Sequence, residues 1–266
     1  MKEVIGAEHE FHDKDFVTGW ADRFVPTPDR LKLFDVMLNE LKSAMPADGC
    51  IVELGIGPGY LADHLLRSMP DIQFYGVDFS SPMLDIARQR LSPYSDRITY
   101  IQADLVKDNW WLDIRVPVDS IVSTWALHDL GSTENVKTVY KGCVQTLETS
   151  GLLLNGDFIK PDKARHEFEP GRFEITKHIE MLHSVGFNHA ECLVMLEEEI
   201  MSPTPAQNYA CFKAVVDKTQ HYDSADISLK LIRQCLNHLQ GYRRVEQQYS
   251  IGFLILVVVE TYRDQA

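Results

Sequence analysis

The residues best placed for chemistry lie in two short stretches. Glu53-Leu54-Gly55-Ile56-Gly57-Pro58-Gly59 closes an apolar run with a glycine-rich turn, and Phe74-Tyr75-Gly76-Val77-Asp78 ends a second apolar run on an acid. A strand, a tight turn, a helix and a second strand tipped by a carboxylate make the layout of a nucleoside-binding crevice. Glycines let the backbone turn sharply and approach a ligand without Cβ clashes. The helix N-terminus that follows, at Tyr60 and Leu61, can face an anionic group. The two oxygens of Asp78 suit a pair of ribose hydroxyls. A dinucleotide fingerprint has its third glycine five positions after the first. Here the glycines stand at 55, 57 and 59, so the third comes one position early. Further on, His128 has a side chain whose ordinary pKa suits proton abstraction near neutral pH.

Regular elements must hold these groups. Residues 11–46 read as two helices broken near Val25-Pro26-Thr27-Pro28, with Thr27 capping the second. Phe16, Trp20 and Phe24 recur on one face of the first helix, either as core or as a lid over a pocket. From Cys50 onward, strands near 50–55, 73–78, 98–102, 118–124 and 151–158 alternate with helical patterns, the last at 134–148. A helix near 172–184 and strands near 190–196 and 207–216 follow. This alternation predicts an α/β fold, a doubly wound, mostly parallel seven-stranded sheet. An N-terminal helical lid (1–44) precedes the sheet domain (45–217), and a helix-strand extension (218–266) follows it. The extension pairs an amphipathic helix at 227–239 with a β-branched strand at 251–261. It reads as an added αβ unit, a homodimerisation arm or a substitute for the usual last strands.

The E-x-G-x-G-x-G pattern resembles motif I of the class I S-adenosylmethionine-dependent methyltransferases. The run from Asp78 to Arg88 is similar to that family's D-x-S-x-x-M-L-x-x-A-R segment, and Asp119 to Leu130 resembles its fourth motif. The resemblance implies S-adenosyl-L-methionine as cofactor, held by Glu53, Gly55, Gly57, Gly59, Asp78, Phe79, Met83, Asp104, Leu105 and Ser123. In it Glu53 organises the glycine turn and the amino-acid end of the cofactor. Met83 lies beside the adenosine, while Leu84 is read as core. Asp104 accepts from the adenine amine, Ala103 and Leu105 flank the ring, and carbonyls near Ser123 and Thr124 receive the ammonium. His128 occupies the first position of the family's histidine pair and Asp129 replaces the second. His128 is therefore either the catalytic base or a loop-capping side chain.

A chain of 266 residues with net charge −13 and no basic stripe disfavours nucleic acid as a partner and favours a small-molecule acceptor. The implied reaction is O, N or C methylation of a metabolite or natural-product intermediate. The alternatives are an RNA-modifying methyltransferase and a catalytically idle S-adenosylmethionine-binding partner subunit. Arg165, His166 and Arg172, in the segment after the fifth strand, either meet an anionic acceptor or belong to a solvated loop. The five cysteines and the remaining histidines lack metal-ligand spacing, so no metal is expected. The N-terminus lacks a signal-peptide core and the apolar run at 253–259 is too short to span a membrane, so a cytoplasmic location is expected.

Overall fold

The computed structural model describes residues 9–160, 168, 170–198 and 207–218, all within the unit that extends to Lys218. Two helices open it, α1 (Lys14–Arg23) and α2 (Pro28–Ala44). Asp13 caps the first by accepting from Phe16 N at 2.8 Å, and Thr27 caps the second by accepting from Arg30 N at 3.3 Å. Pro28 takes a first-turn position, where its missing N–H costs nothing.

Seven strands then form a single sheet. They are β1 (Cys50–Leu54), β2 (Gln73–Asp78), β3 (Ile98–Gln102), β4 (Val118–Thr124), β5 (Leu147–Phe158), β6 (His189–Glu198) and β7 (Gln207–Val215), in the order β3-β2-β1-β4-β5-β7-β6. The first five pair in parallel, and β7 runs antiparallel between β5 and β6. The helices that link and flank them are α3 (Tyr60–Ser68), α4 (Ser81–Arg90), α5 (Thr133–Thr146) and α6 (Ile175–Val185). Every residue of β1 is buried, because a central parallel strand is covered on both faces and so reads as a continuous apolar run.

Two apolar layers enclose the sheet. One joins Tyr140, Leu182 and Phe212, and the other joins Phe34, Leu61, Leu65 and Phe74. Each fully buried large side chain contributes about 1.5–3 kcal/mol. Strand order reverses between β1 and its neighbour β4, so a crevice opens beyond their carboxyl ends. Two boundaries differ from expectation. β5 starts at Leu147 rather than at 151, with Ser150 at φ 67° and a register shift opposite Val118 and Ser120. That bulge hides the strand's first turn behind a polar Glu148-Thr149-Ser150 stretch. The helix expected from 172 begins at Ile175, since Phe173 bridges to Ile159 first. The extension at 218–266 and its dimerisation reading, like Arg165 and His166, lie outside the described residues apart from Lys218. Among the described residues, no helix is long and apolar enough to cross a membrane.

Candidate active site

The turn after β1 is tied to β2 by two hydrogen bonds, with Gly55 N and Ile56 N donating to Val77 O at 2.8 and 3.0 Å. Gly55, Gly57 and Gly59 all have left-handed φ, at 69°, 51° and 81°. At Gly55 a Cβ would stand 2.4 Å from Ala126 Cβ, so this position needs glycine for space as well as for φ. At Gly57 a Cβ would meet nothing within 4 Å, because the residue faces the cavity. Its amide donates to Asp78 Oδ2 at 2.9 Å, while Ser80 N donates to Asp78 Oδ1 at 2.9 Å. The β2 carboxylate is thus fixed by the backbone it faces.

Glu53, 1 % exposed, accepts a backbone hydrogen bond from Ala62 in the first turn of α3. Its Oε2 has no hydrogen-bond partner among the described residues. Burial, then the nearby Asp78 charge, pushes Glu53 well above the carboxylate range. Burial likewise raises Asp78 to about 6, against the hydrogen bonds from Ser80, Gly57 and Phe79 that favour its charged form.

Both acids line a cavity of about 460 Å³, a size typical of small-molecule sites. Gly55, Gly57, Phe79, Met83, Leu105 and His128 line it too. Leu84 stays in the core at 1 % exposed. Three expected contacts fall elsewhere. The Asp104 carboxylate accepts from Val106 N at 2.9 Å and Lys107 N at 3.1 Å, so it caps its own turn while Leu105 faces the cavity. Ser123 Oγ is buried and donates to Leu54 O at 2.9 Å, and Thr124 is the member of that pair on the wall. Gly59 packs its α face against Leu91 and Ala87 behind the turn.

The far end of the cavity centres on His128. Its backbone N–H donates to Asp157 Oδ2 at 3.0 Å, and its Nδ1 lies 2.7 Å from Asp157 Oδ1. Asp157 is fully buried in β5. That contact assigns the Nδ1 proton and leaves Nε2, 3.2 Å from Asp129 Oδ1, as the atom able to take a proton. Desolvation alone would lower the imidazole pKa, but the Asp157 charge and hydrogen bond, helped by Asp129, outweigh it and the net shift is upward from 6.5. Phe158 stands edge-on to the His128 ring at 4.9 Å. Trp125 packs beside it in a left-handed conformation, φ 46°, with its buried Nε1 unpartnered among the described residues.

The N-terminal segment supplies part of the cavity wall. Trp20 stacks on Phe24 at 4.1 Å and both line the cavity, whereas Phe16 packs on Phe11. Tyr60 Oη donates to Ala21 O at 3.1 Å, tying α1 to the start of α3. Asp157 is the functional candidate that sequence reasoning missed. Its signal was an acid two positions after Asn155 at the end of the apolar run Leu152-Leu153-Leu154, which puts both polar groups on one face.

Comparison with known proteins agrees with this geometry. Residues 51–151 match the methyltransferase domain family. The chain is 40 % identical over 77 residues to ribosomal RNA small subunit methyltransferase H of Nitratiruptor sp., covering 27 % of this chain and 26 % of that protein. It is 29 % identical over 109 residues to a malonyl-[acyl-carrier protein] O-methyltransferase of Magnetococcus marinus, covering 41 % of this chain and 38 % of that one. The chain therefore spans well under two thirds of these curated relatives. The N-methyltransferase NodS of Bradyrhizobium japonicum, solved with S-adenosyl-L-homocysteine, shares the fold with a TM-score of 0.54 at 16 % identity, over 73 % of this chain and 90 % of that one. Motif series, sheet order and the family match over residues 51–151 converge on a methyltransferase domain of the class I, S-adenosylmethionine-dependent type.

Proposed function

We propose that this chain transfers the methyl group of S-adenosyl-L-methionine to an O, N or C atom of a small acceptor, with His128 as the base where a proton must leave. The observation that carries this reading is that the Glu53–Asp78 acids and the Asp157-held His128 line one partly covered cavity. The residues fit the cofactor. Glu53 Oε2 is a buried acceptor in need of a donor, Gly57 leaves open space, and Asp78 retains acceptor capacity on both oxygens for hydroxyls. Glu53 and the carbonyl side of Thr124 would hold the amino-acid end, and Met83 and Leu105 would flank the ring.

When bound, the sulfonium supplies an activated methyl group, whose S–C bond breaks as the acceptor atom bonds to carbon and sulfur keeps the electron pair. The protein's task is then alignment and exclusion of water. Phe11, Trp20 and Phe24 serve the second role as a lid. A departing acceptor proton passes to His128 Nε2. Asp157 and Asp129 stabilise the imidazolium so formed, and half-exposed Asp129 offers the route to water.

The relatives leave the acceptor open, since one is named for ribosomal RNA and another for an acyl-carrier protein substrate. A cavity walled largely by aromatic side chains in a chain of net charge −13 favours a small molecule. The test is transfer of labelled methyl from S-adenosyl-L-methionine into fractionated cell extract. Label in a small molecule supports the reading. Label in RNA alone would replace it with the RNA-modifying one, and tight cofactor binding with no label anywhere would favour an idle fold.

A further inference from the structure

We propose that Gly171 is a positioning residue for His128, an inference that rests on the methyl-transfer reading above. Pro170-Gly171-Arg172-Phe173 leads from the segment after β5 into α6. A glycine beside a proline reads as a turn residue, whose use would be a left-handed φ. Gly171 is not used that way. Its φ lies outside the left-handed region, unlike that of Gly131 (φ 72°), which ends the His128 turn. What the position requires is space. Gly171 is buried, and a Cβ built on it would overlap the His128 carbonyl oxygen and stand 2.6 Å from its carbon and 3.1 Å from its Cα. All three atoms belong to the His128 backbone, so no side-chain rotation makes room.

Both backbones are tied where they meet. The His128 turn, Leu127–Leu130, is held by His128 N donating to Asp157 Oδ2 and by Gly131 N donating to His128 O at 3.2 Å. Leu127 and Leu130 anchor it in the core. The Gly171 side is held by Lys160 N donating to Phe173 O at 3.0 Å and by the bridge between Phe173 and Ile159. The Phe173 ring also stands edge-on to His178 at 5.8 Å. Between them, Arg172 Cζ lies 4.5 Å over the Phe158 ring, and Phe158 stands edge-on to the His128 imidazole. Three consecutive residues thus meet the His128 backbone, the ring that backs its imidazole, and the chain just beyond β5. A methyl group on Gly171 would move one side or the other by at least about 1 Å, and misplacement on that scale costs roughly 10²-fold in rate. If the His128 turn retreats, its Asp157 contacts lengthen. If the Gly171 segment retreats, Arg172 lifts from Phe158 and the imidazole loses its backing. Either way the position of Nε2 changes.

The experiment sets Gly171→Ala in the full chain beside Gly19→Ala, whose added methyl meets nothing within 4 Å. Turnover is read with labelled S-adenosyl-L-methionine and the extract fraction that takes the label. Gly171→Ala should lower kcat by about 10²-fold. Its KM for S-adenosyl-L-methionine and its calorimetric affinity for S-adenosyl-L-homocysteine should stay within about threefold, and Gly19→Ala should match the unmodified chain. In a chain that already carries His128→Gln, adding Gly171→Ala should cost less than about threefold more, because the glycine acts through the lost base. The His128 imidazole signal, identified in ¹H–¹³C spectra by its absence from His128→Gln, should move in Gly171→Ala and stay in Gly19→Ala. That signal reads positioning without turnover. Equal losses with and without His128, or an unmoved imidazole signal, would overturn the proposal. Should Gly171→Ala fail to fold, Phe173→Ala loosens the same segment without crowding His128. Its kcat should then fall by about tenfold, and only in chains that keep His128; an unchanged kcat there would overturn the proposal equally. No label transferred by the unmodified chain would instead sink the methyl-transfer reading, and this inference with it.

Discussion

At one end of the cavity, the left-handed Gly55 and Gly57 and two buried carboxylates come from a single stretch, Glu53 to Asp78, and the backbone does most of the holding. At the other end, Arg30, Trp125, His128, Asp157 and Arg172 arrive from separate elements and touch through side chains. The first end is set by φ angles and amide hydrogen bonds that a change of one residue disrupts. The second is set by packing between distant segments, so its side chains can be exchanged while the sheet stays intact. A fold built this way keeps its cofactor and varies its acceptor.

The comparison breaks most visibly at Asp78. Asp78→Ala removes a carboxylate on which both Gly57 N and Ser80 N depend and on which the ribose hydroxyls are expected to depend. Each charge-assisted hydrogen bond contributes about 1.5–3 kcal/mol, so cofactor affinity in calorimetry should fall by about 100-fold or more. Unchanged affinity would remove Asp78 from the cofactor site.

His128→Gln probes the opposite end. Loss of a general base typically costs about 10²- to 10⁴-fold in rate, and kcat should drop within that range while cofactor affinity stays within a few-fold. A variant that binds cofactor as poorly as Asp78→Ala would show that the two ends are one unit. Full turnover would reduce His128 to the loop-capping role that its backbone contact with Asp157 also serves.

Asp157→Asn should have a smaller effect, with a signature that separates positioning from mere structure. The carboxylate holds the His128 pKa above 6.5, so its loss lowers that pKa. A base must be neutral to act, so the acidic limb of the rate profile should move to lower pH even as kcat falls by about tenfold. A fall in kcat with an unmoved limb would assign Asp157 to structure alone.

The same contrast explains what the sequence disclosed. The E-x-G-x-G-x-G turn and Asp78 are legible because local backbone geometry dictates their residue types at fixed spacing, and Met83 is legible through the family resemblance. The mostly parallel seven-stranded sheet followed from alternating β and α patterns, and the break at Val25 to Pro28 from capping chemistry. At Asp104 an acid after a strand also serves as its own turn cap, and spacing does not separate that use from a ligand contact. Arg30 and Phe34 look like any helix residues until α2 is laid beside Trp125. Asp157 was hidden because its partner, His128, is 29 positions away in sequence.

The smallest expected effect is one of pH, and it separates the two ends without a mutation. Asp78 sits at about 6 rather than 3.8 because burial disfavours the carboxylate more than its amide donors and His12 favour it. An acid with a raised pKa binds its proton more tightly in the folded chain than in the unfolded one. Its contribution therefore stabilises the fold fully below 3.8 and is lost as pH rises through about 6. Hydroxyl donors require the ionised form, so cofactor affinity should strengthen as pH climbs to about 6 and then level, falling by about tenfold per unit on the acid side. His128 titrates above 6.5 and its neutral form is the base, so turnover should keep rising after affinity has levelled. Calorimetric affinity and kcat, measured in parallel from pH 5 to 8, should thus bend at different pH values. If both bend together near 6, Asp78 alone governs the profile, and the independence of the two ends is lost along with the role of His128 as base.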